Sequence, residues 1–170
     1  TGGIVIAAKN AEALRIINEK IKNKEIKKYY LCIVQGILDK KQDELIGYLI
    51  KDNSLNRVSV FDNPMPGAKN IITRYRVLKE KNNMSLLEVE LITGRTHQIR
   101  VHMSYIGHPI VGDPVYGRRN QKFQLKGQAL HAAILTITHP RTKERMEFRA
   151  PLPDYFEKLL NSLRNKYKNI

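Results

Sequence analysis

The pattern of apolar and polar residues predicts mainly strands, some as continuous apolar runs and some with the two-residue alternation, and only three segments show helical spacing. Strands are predicted at residues 2–8, 28–35, 44–50, 58–61, 71–79, 85–92, 129–138 and 145–149. Helices are predicted after Asn10, from about Thr93-Gly94, and from Pro153-Asp154. Short turns such as Asn82-Asn83 join neighbouring strands in antiparallel fashion. The pattern therefore predicts an α+β domain, built on a mixed, mostly antiparallel sheet that is flanked by helices and loops.

Four segments carry more specific expectations. Residues 2–8 are glycines followed by apolar residues, which is the composition of a buried strand. Asn10 is the expected N-cap of the first helix. The apolar face of that helix consists of Ala13, Leu14, Ile17 and Ile21, and that of the last helix of Tyr155, Leu159, Leu160 and Leu163. Residues 51–70 are mostly polar and contain several turn signals, so we expect a long functional or mobile loop that carries one short strand.

The run over residues 91–102 is rich in hydrogen-bond donors and contains no acid. It follows a predicted strand and leads into a helix marked by Ile99, Met103 and Ile106. The unpaired amides of a helix start, together with Arg95 and Arg100, would suit a phosphate group. The alternative is an ordinary solvated start of a basic helix.

The charge balance favours an anionic partner, because 30 lysines and arginines face only 16 acids and give a net charge of +14. Nucleic acid is the expected partner, and no membrane partner is expected, since no apolar run reaches the length of a membrane span. We expect one domain, a cytoplasmic location and a monomer. Cys32 lies in an apolar run and is expected to be buried without a chemical role. Because the chain begins at Thr1 and enters directly on a strand, we expect it to be a piece of a longer protein.

Several chemistries have no support in the sequence. The five histidines and the single cysteine lack the spacings of a metal site, so no metal is expected. No glycine-rich phosphate loop with a Gly-Lys-Ser/Thr ending and no serine nucleophile motif is found. What is left is RNA binding, together with chemistry through a carboxylate, acting as nucleophile or base, that a basic partner positions.

Five segments in order along the chain resemble the RluA-type pseudouridine synthases, and among these the enzymes that act on large-subunit ribosomal RNA. They are residues 1–10, 30–36, 93–102, 107–117 and 128–132. The most specific is Gly94-Arg95-Thr96-His97-Gln98-Ile99-Arg100-Val101-His102, which is followed by Gly107-His108-Pro109 and Gly112-Asp113. The resemblance extends from end to end, so residues 1–170 are interpreted as a partial pseudouridine synthase catalytic domain.

The resemblance implies isomerisation of uridine to pseudouridine without a metal or organic cofactor. It also implies an essential aspartate in a His-Arg-Leu-Asp segment just before the Thr-Gly-Gly strand, which this sequence does not contain. By position, Arg100 matches the basic residue that pairs with this aspartate, and Tyr30, rather than Tyr29, matches the tyrosine that stacks on the target base. Because the aspartate is missing, the 170 residues alone are predicted to be inactive.

Arg95, His97 and Gln98 are the candidates for RNA contacts, with 23S-type ribosomal RNA as the implied partner. Each candidate has an ordinary alternative: a surface charge for Arg100, a strand aromatic for Tyr30, and capping or packing for His97. Asp113 is interpreted as a turn residue rather than a catalytic acid. The alternative function is a non-catalytic RNA-binding module, and a DNA-binding protein is favoured less because no recognition helix stands out.

Overall fold

The computed structural model describes residues 1–119 and 125–163, which form one eight-stranded sheet with three helices. The elements are β1 (Gly2–Gly3), α1 (Ala11–Lys22), β2 (Lys27–Gln35), β3 (Gln42–Asp52), β4 (Arg57–Phe61), β5 (Lys69–Lys81), β6 (Met84–Leu91), α2 (Gln98–Tyr105), β7 (Leu130–Thr138), β8 (Arg145–Arg149) and α3 (Asp154–Leu163). The strand order is β1-β7-β2-β6-β5-β3-β4, and β8 also pairs with β7. Only β1 and β7 run parallel among these strands, so the predicted α+β fold with a mostly antiparallel sheet is confirmed.

Two parts of the sequence prediction lie outside the described residues. One is Asn120 in a basic loop expected at residues 118–120, and the other is a basic tail expected at residues 164–168. Within the described ranges, no helix is long and apolar enough to span a bilayer.

The prediction of a buried strand over residues 2–8 is wrong. Only Gly2 and Gly3 pair with β7, opposite His131 and Ala132, and Val5 is 87% exposed. The reason lies in the sheet: β8 pairs with β7 from Ile134 onward, on the side that a longer β1 would need. The apolar run therefore leaves the sheet after two residues.

The first helix begins as its cap predicts, because the Asn10 side chain accepts a hydrogen bond of 2.8 Å from the Ala13 amide. Its apolar face is less covered than the periodicity suggests. No residue of α1 is fully buried, and Leu14 and Ile21 stay 51% and 43% exposed. The helix therefore lies on the surface, and the buried Ile26 follows it just before β2.

The middle of the chain is more regular than expected. Residues 51–61 belong to the β3–β4 hairpin and 69–70 to the start of β5, so the expected long loop reduces to a four-residue turn, residues 53–56, and a seven-residue connection, residues 62–68. Asn82 and Asn83 both have positive φ angles, as a type I′ turn requires, and this confirms the hairpin between β5 and β6. The outward-facing Arg74 and Arg76 of β5 form ion pairs with neighbouring glutamates and therefore form a solvent-facing pair.

Helix α2 lies between two apolar clusters, and this sets the position of the site described below. Its residues Ile99 and Met103 join the main core together with Phe156 of α3, while Val101 packs into a second cluster against β3, β4 and β5. Phe156 is fully buried, although the predicted apolar side of the last helix omitted it. Because α2 contacts apolar clusters on two sides, Gln98 to Met103 are all buried.

Candidate active site

The loop between β6 and α2, residues 92–97, is held in place by the side chain of Gln98. The Gln98 Oε1 atom accepts hydrogen bonds from the Thr93 hydroxyl at 2.9 Å and from the Arg95 amide at 3.0 Å. Its Nε2 atom donates to the Ile72 carbonyl and to the Thr73 hydroxyl, both at 3.0 Å. Since Gln98 is only 2% exposed, these bonds are buried and link the loop to β5.

This arrangement corrects two expectations. Helix α2 begins at Gln98 rather than near Thr93-Gly94, because His97 adopts a left-handed backbone with φ of 53°. Two of the amides expected to face a phosphate are occupied, since the Arg95 amide donates to the Gln98 side chain and the Gln98 amide to the Arg95 carbonyl. The helix itself begins buried at Gln98, whereas Gly94, Arg95 and Thr96 in the loop before it are exposed.

Arg100 projects from α2 and forms a buried ion pair with Asp113. Its Nε and Nη2 atoms donate to the two carboxylate oxygens at 2.8 and 2.9 Å, which is bidentate geometry. The side chains are 10% and 0% exposed. Hydrogen bonding to Asp113 raises the pKa of Arg100, so the guanidinium stays charged. The five N–H groups of an arginine leave three that these bonds do not use.

Asp113 also organises the turn that follows it, as the sequence predicted. Its Oδ1 atom accepts from the Val115 amide at 2.9 Å and from the Tyr116 amide at 3.0 Å. Burial alone would raise the pKa of this carboxyl, but the bonds from Arg100 and the two amides outweigh burial and hold the pKa below its usual value. Asp113 is therefore an ionised anchor for Arg100, a role that sequence spacing did not indicate.

Tyr116 is a further residue of the site that the sequence analysis did not assign. The Arg100 guanidinium lies 5.2 Å from the ring centroid and the Arg57 guanidinium 5.9 Å from it. The Tyr116 hydroxyl accepts from the Val58 amide at 3.0 Å and lies 3.0 Å from His97 Nδ1. Burial, and then the nearby Arg100 charge, lower the pKa of His97, which favours a neutral imidazole at neutral pH. The one signal for Tyr116 in the sequence was its place in the turn-rich run after Gly112.

A cavity of about 580 Å³ opens beside Arg100 and His97, and its lining also includes Arg57 and Gln128. This volume lies in the range of sites for small ligands. The amino terminus is close to it, because Gln128 Nε2 donates to the Thr1 hydroxyl at 3.0 Å. Since β1 runs parallel to β7, residues preceding Thr1 would continue toward the Gln128 end of β7. The cavity with Arg100 therefore lies where the chain begins.

Tyr30 lies in β2, half-buried against the main core, and burial raises the pKa of its phenol. It pairs with Ala132 of β7, and Ala132 pairs in turn with Gly3 of β1. Tyr30 and Gly3 therefore stand in one row, two strand spacings or about 10 Å apart. Tyr30 is not among the residues that line the Arg100 cavity, and within the described ranges Arg100 forms its hydrogen bonds and cation–π contact with Asp113 and Tyr116.

The three predicted RNA contacts differ in accessibility. Arg95 is exposed, and His97 is half-buried at the rim of the cavity. Gln98 is buried, and both atoms of its amide group are occupied. The structure thus presents Arg95 and His97 to a ligand, while Gln98 holds the loop that carries them. Cys32, which is fully buried, has no access to the site, as expected.

Comparison with known proteins places this arrangement in a family. The family model described as RNA pseudouridylate synthase matches residues 1–105. The uncharacterized RNA pseudouridine synthase YlyB of Bacillus subtilis is 41% identical over 167 residues, which cover 96% of this chain and 53% of that protein. Ribosomal large subunit pseudouridine synthase D of Nitrosomonas europaea is 38% identical over 174 residues, covering 97% and 49%. The chain thus spans about half the length of the curated relatives it matches.

A solved structure supports the same fold. Human RNA pseudouridylate synthase domain containing 4 superposes with a TM-score of 0.75 at 22% identity, over 94% of this chain and 70% of that chain. The solved structure supports the fold, and the family model agrees with the resemblance seen in the sequence motifs. Because the family model covers more than half of the sequence, this chain belongs to the RNA pseudouridylate synthase family.

Proposed function

We propose that residues 1–170 form the greater part of the catalytic domain of a pseudouridine synthase that isomerises uridine in large-subunit ribosomal RNA. Family membership supports the reaction class. The name of the Nitrosomonas relative, a ribosomal large subunit enzyme, supports the RNA, and so does the net charge of +14. A ribosomal RNA substrate would place the protein in the cytoplasm, and its monomeric state stays a prediction.

The observation that carries the proposal is the position of Arg100. Its guanidinium is buried, charged and held on one edge by Asp113, and it lines a cavity beside the amino terminus. We propose that the essential aspartate lies a few residues upstream of Thr1 and that its carboxylate enters this cavity. The N–H groups of Arg100 that Asp113 does not use would then bind the second carboxylate and keep it ionised.

The other residues have supporting roles in this proposal. Tyr30 would provide an apolar platform with a hydroxyl group beside the extruded uracil. Arg95 and His97 would contact the RNA backbone around the flipped nucleotide. We assign Gln98 a positioning role instead of an RNA contact, because its amide is buried and bonded to the loop.

The proposed reaction is an isomerisation, so its atoms and electrons balance without a cofactor. The bond between C1′ of the ribose and N1 of uracil breaks, the base rotates, and a bond forms between C1′ and C5. The proton on C5 leaves, and N1 takes up a proton. The upstream aspartate would act as the nucleophile or base, and the role of Arg100 would be to hold that carboxylate in the anionic form.

Release of tritium from RNA labelled at C5 of uridine tests the proposal directly. We expect turnover by the complete gene product, and none by its Asp→Asn variant at the upstream aspartate or by the 170-residue chain. Turnover by the 170-residue chain would overturn the role of an upstream aspartate. RNA binding by the complete product without any tritium release would instead favour a non-catalytic RNA-binding module.

A further inference from the structure

A second cleft, of about 370 Å³, lies between α1, the start of β2 and the loop that precedes α2. Four of its lining residues are basic: Lys22, Lys24, Lys28 and Arg95. None of the lining residues in the described part of the chain is acidic. Neighbouring lysines outside the cleft do have acidic partners, since Lys20 pairs with Glu25 at 2.7 Å. The cleft therefore concentrates positive charge that the described residues do not neutralise.

Lys28 is the most informative of these residues. It is half-buried on β2, and the described part of the structure gives its ammonium group no hydrogen bond or ion pair. Burial lowers its pKa, and no nearby carboxylate counteracts this effect. A partly desolvated cation without a partner is unfavourable for the free protein, and a bound anion would relieve this cost.

The loop is shaped to admit this ammonium group. A Cβ atom at Gly94 would lie 2.9 Å from Lys28 Nζ, which is closer than such atoms approach each other. The backbone of Gly94 does not have the positive φ angle that requires a glycine. The absence of a side chain at this position therefore matters for the space it leaves beside Lys28. The Lys28 ammonium group therefore lies directly against Gly94, a residue far from it in sequence.

The same loop connects the cleft to the candidate active site. Gly94 and Arg95 line the cleft, whereas His97 lines the cavity beside Arg100. Lys28 is also two residues from Tyr30 on β2, so both side chains lie on the same face of that strand. The cleft and the cavity are therefore lined by the two ends of one loop, residues 92–97.

We propose that this cleft binds a phosphodiester group of the RNA strand that flanks the target uridine, with Lys28 as its central contact. The inference rests on the proposed RNA substrate and adds a specific subsite to it. The lining contains no aromatic side chain on which a base could stack, so the ligand is the sugar-phosphate backbone and the contact is independent of base sequence.

The test compares binding of a fluorescein-labelled fragment of large-subunit ribosomal RNA to variants of the complete gene product over a range of salt concentrations. For Lys28→Gln we expect affinity to fall by about tenfold at low salt and the slope of log K against log salt to decrease by about 0.7 to 0.9. The matched control is Lys79→Gln, an exposed lysine at the opposite end of the β5–β6 hairpin, whose binding should equal that of the wild type.

The outcomes separate the two proposals. If the wild type binds the RNA and Lys28→Gln binds with unchanged affinity and salt slope, the cleft is not a phosphate site, while the proposed function stands. If the wild type itself does not bind or modify the RNA, the proposed function fails. If Lys28→Gln and Lys79→Gln lose affinity equally, the effect is general charge loss and the subsite is refuted. Thermal unfolding of each variant shows that a loss of binding is not a loss of folding.

Discussion

The buried pair of Arg100 and Asp113 makes a strong prediction about stability. Replacing Asp113 by Asn keeps the size of the side chain and an oxygen that can accept from the amides of Val115 and Tyr116. It removes the negative charge and places an NH₂ group against the Arg100 donors. The variant therefore leaves a guanidinium in the interior, with a side chain only 10% exposed and without its counter-ion.

The magnitude follows from the burial of both partners. Removing one member of a buried, hydrogen-bonded pair costs about 3 to 5 kcal/mol, because the other charge stays desolvated. The two turn bonds that Asn can retain are worth about 1 kcal/mol each, which favours the lower end. We expect Asp113→Asn to lower the free energy of unfolding by about 3 kcal/mol and the melting temperature by about 6 to 12 °C.

Urea unfolding monitored by circular dichroism measures this loss, with Asp43→Asn as the matched control. Asp43 pairs with Lys40 on the surface at 2.9 Å, where the side chains are 29% and 69% exposed, so its loss should cost less than about 1 kcal/mol. The double variant Arg100→Met/Asp113→Asn should be less destabilised than the sum of its single changes, since it removes both buried charges. A cost for Asp113→Asn as small as that of Asp43→Asn would refute the argument.

Two further predictions concern His102 and Gly3. Burial lowers the pKa of His102 from 6.5 to about 4. Between these two pH values the unfolded chain takes up a proton that the folded chain does not. The free energy of unfolding should therefore fall by up to about 3 kcal/mol as the pH drops from 6.5 to about 4. Urea midpoints across this range should show a weaker pH dependence in His102→Gln, and an equal dependence would contradict the assignment. Gly3 has φ of 106°, and a Cβ there would lie 2.2 Å from the Ala132 carbonyl oxygen. Gly3→Ala should therefore detach β1 from β7. We expect this variant of the complete gene product to lose tritium release, with only a small loss in the free energy of unfolding. Gly67→Ala, which has a similar φ but open space around it, should keep its activity, and full activity in Gly3→Ala would show that β1 does not position the active centre.

Local chemistry predicted much of the secondary structure. Asn10 caps α1 through a side-chain bond within the first turn, and Asn82-Asn83 forms its turn through the backbone angles of those two residues alone. Such features depend on neighbours only a few residues away, and they are therefore visible in the sequence. In β5 the buried Thr73 and Tyr75 alternate with the exposed Arg74 and Arg76, which is the two-residue period of a strand with one face on the core.

The errors occurred where distant segments decide the outcome. The apolar run after Gly3 reads as a strand, but β8 pairs with the part of β7 that it would need. The start of α2 reads as a basic, accessible helix, but apolar residues on two sides of the helix pack into separate clusters and bury it. Periodicity describes a segment, and it does not report how much of a neighbouring edge or face is free.

In the candidate site, too, some features could be predicted from the sequence and others depend on the tertiary structure. Family resemblance singled out Arg100 and Tyr30 by motif position, and the order of the motifs was enough to identify the family. Arg95, His97 and Gln98 were the candidates for RNA contacts in the same donor-rich run. Only the tertiary structure decided that Asp113 holds Arg100, that Gln98 is a buried support for the loop, and that Lys28 faces Gly94 across a basic cleft. The physical reason is that side-chain identity and spacing are properties of the chain, whereas burial, ion pairing and desolvation arise when residues far apart in sequence pack together.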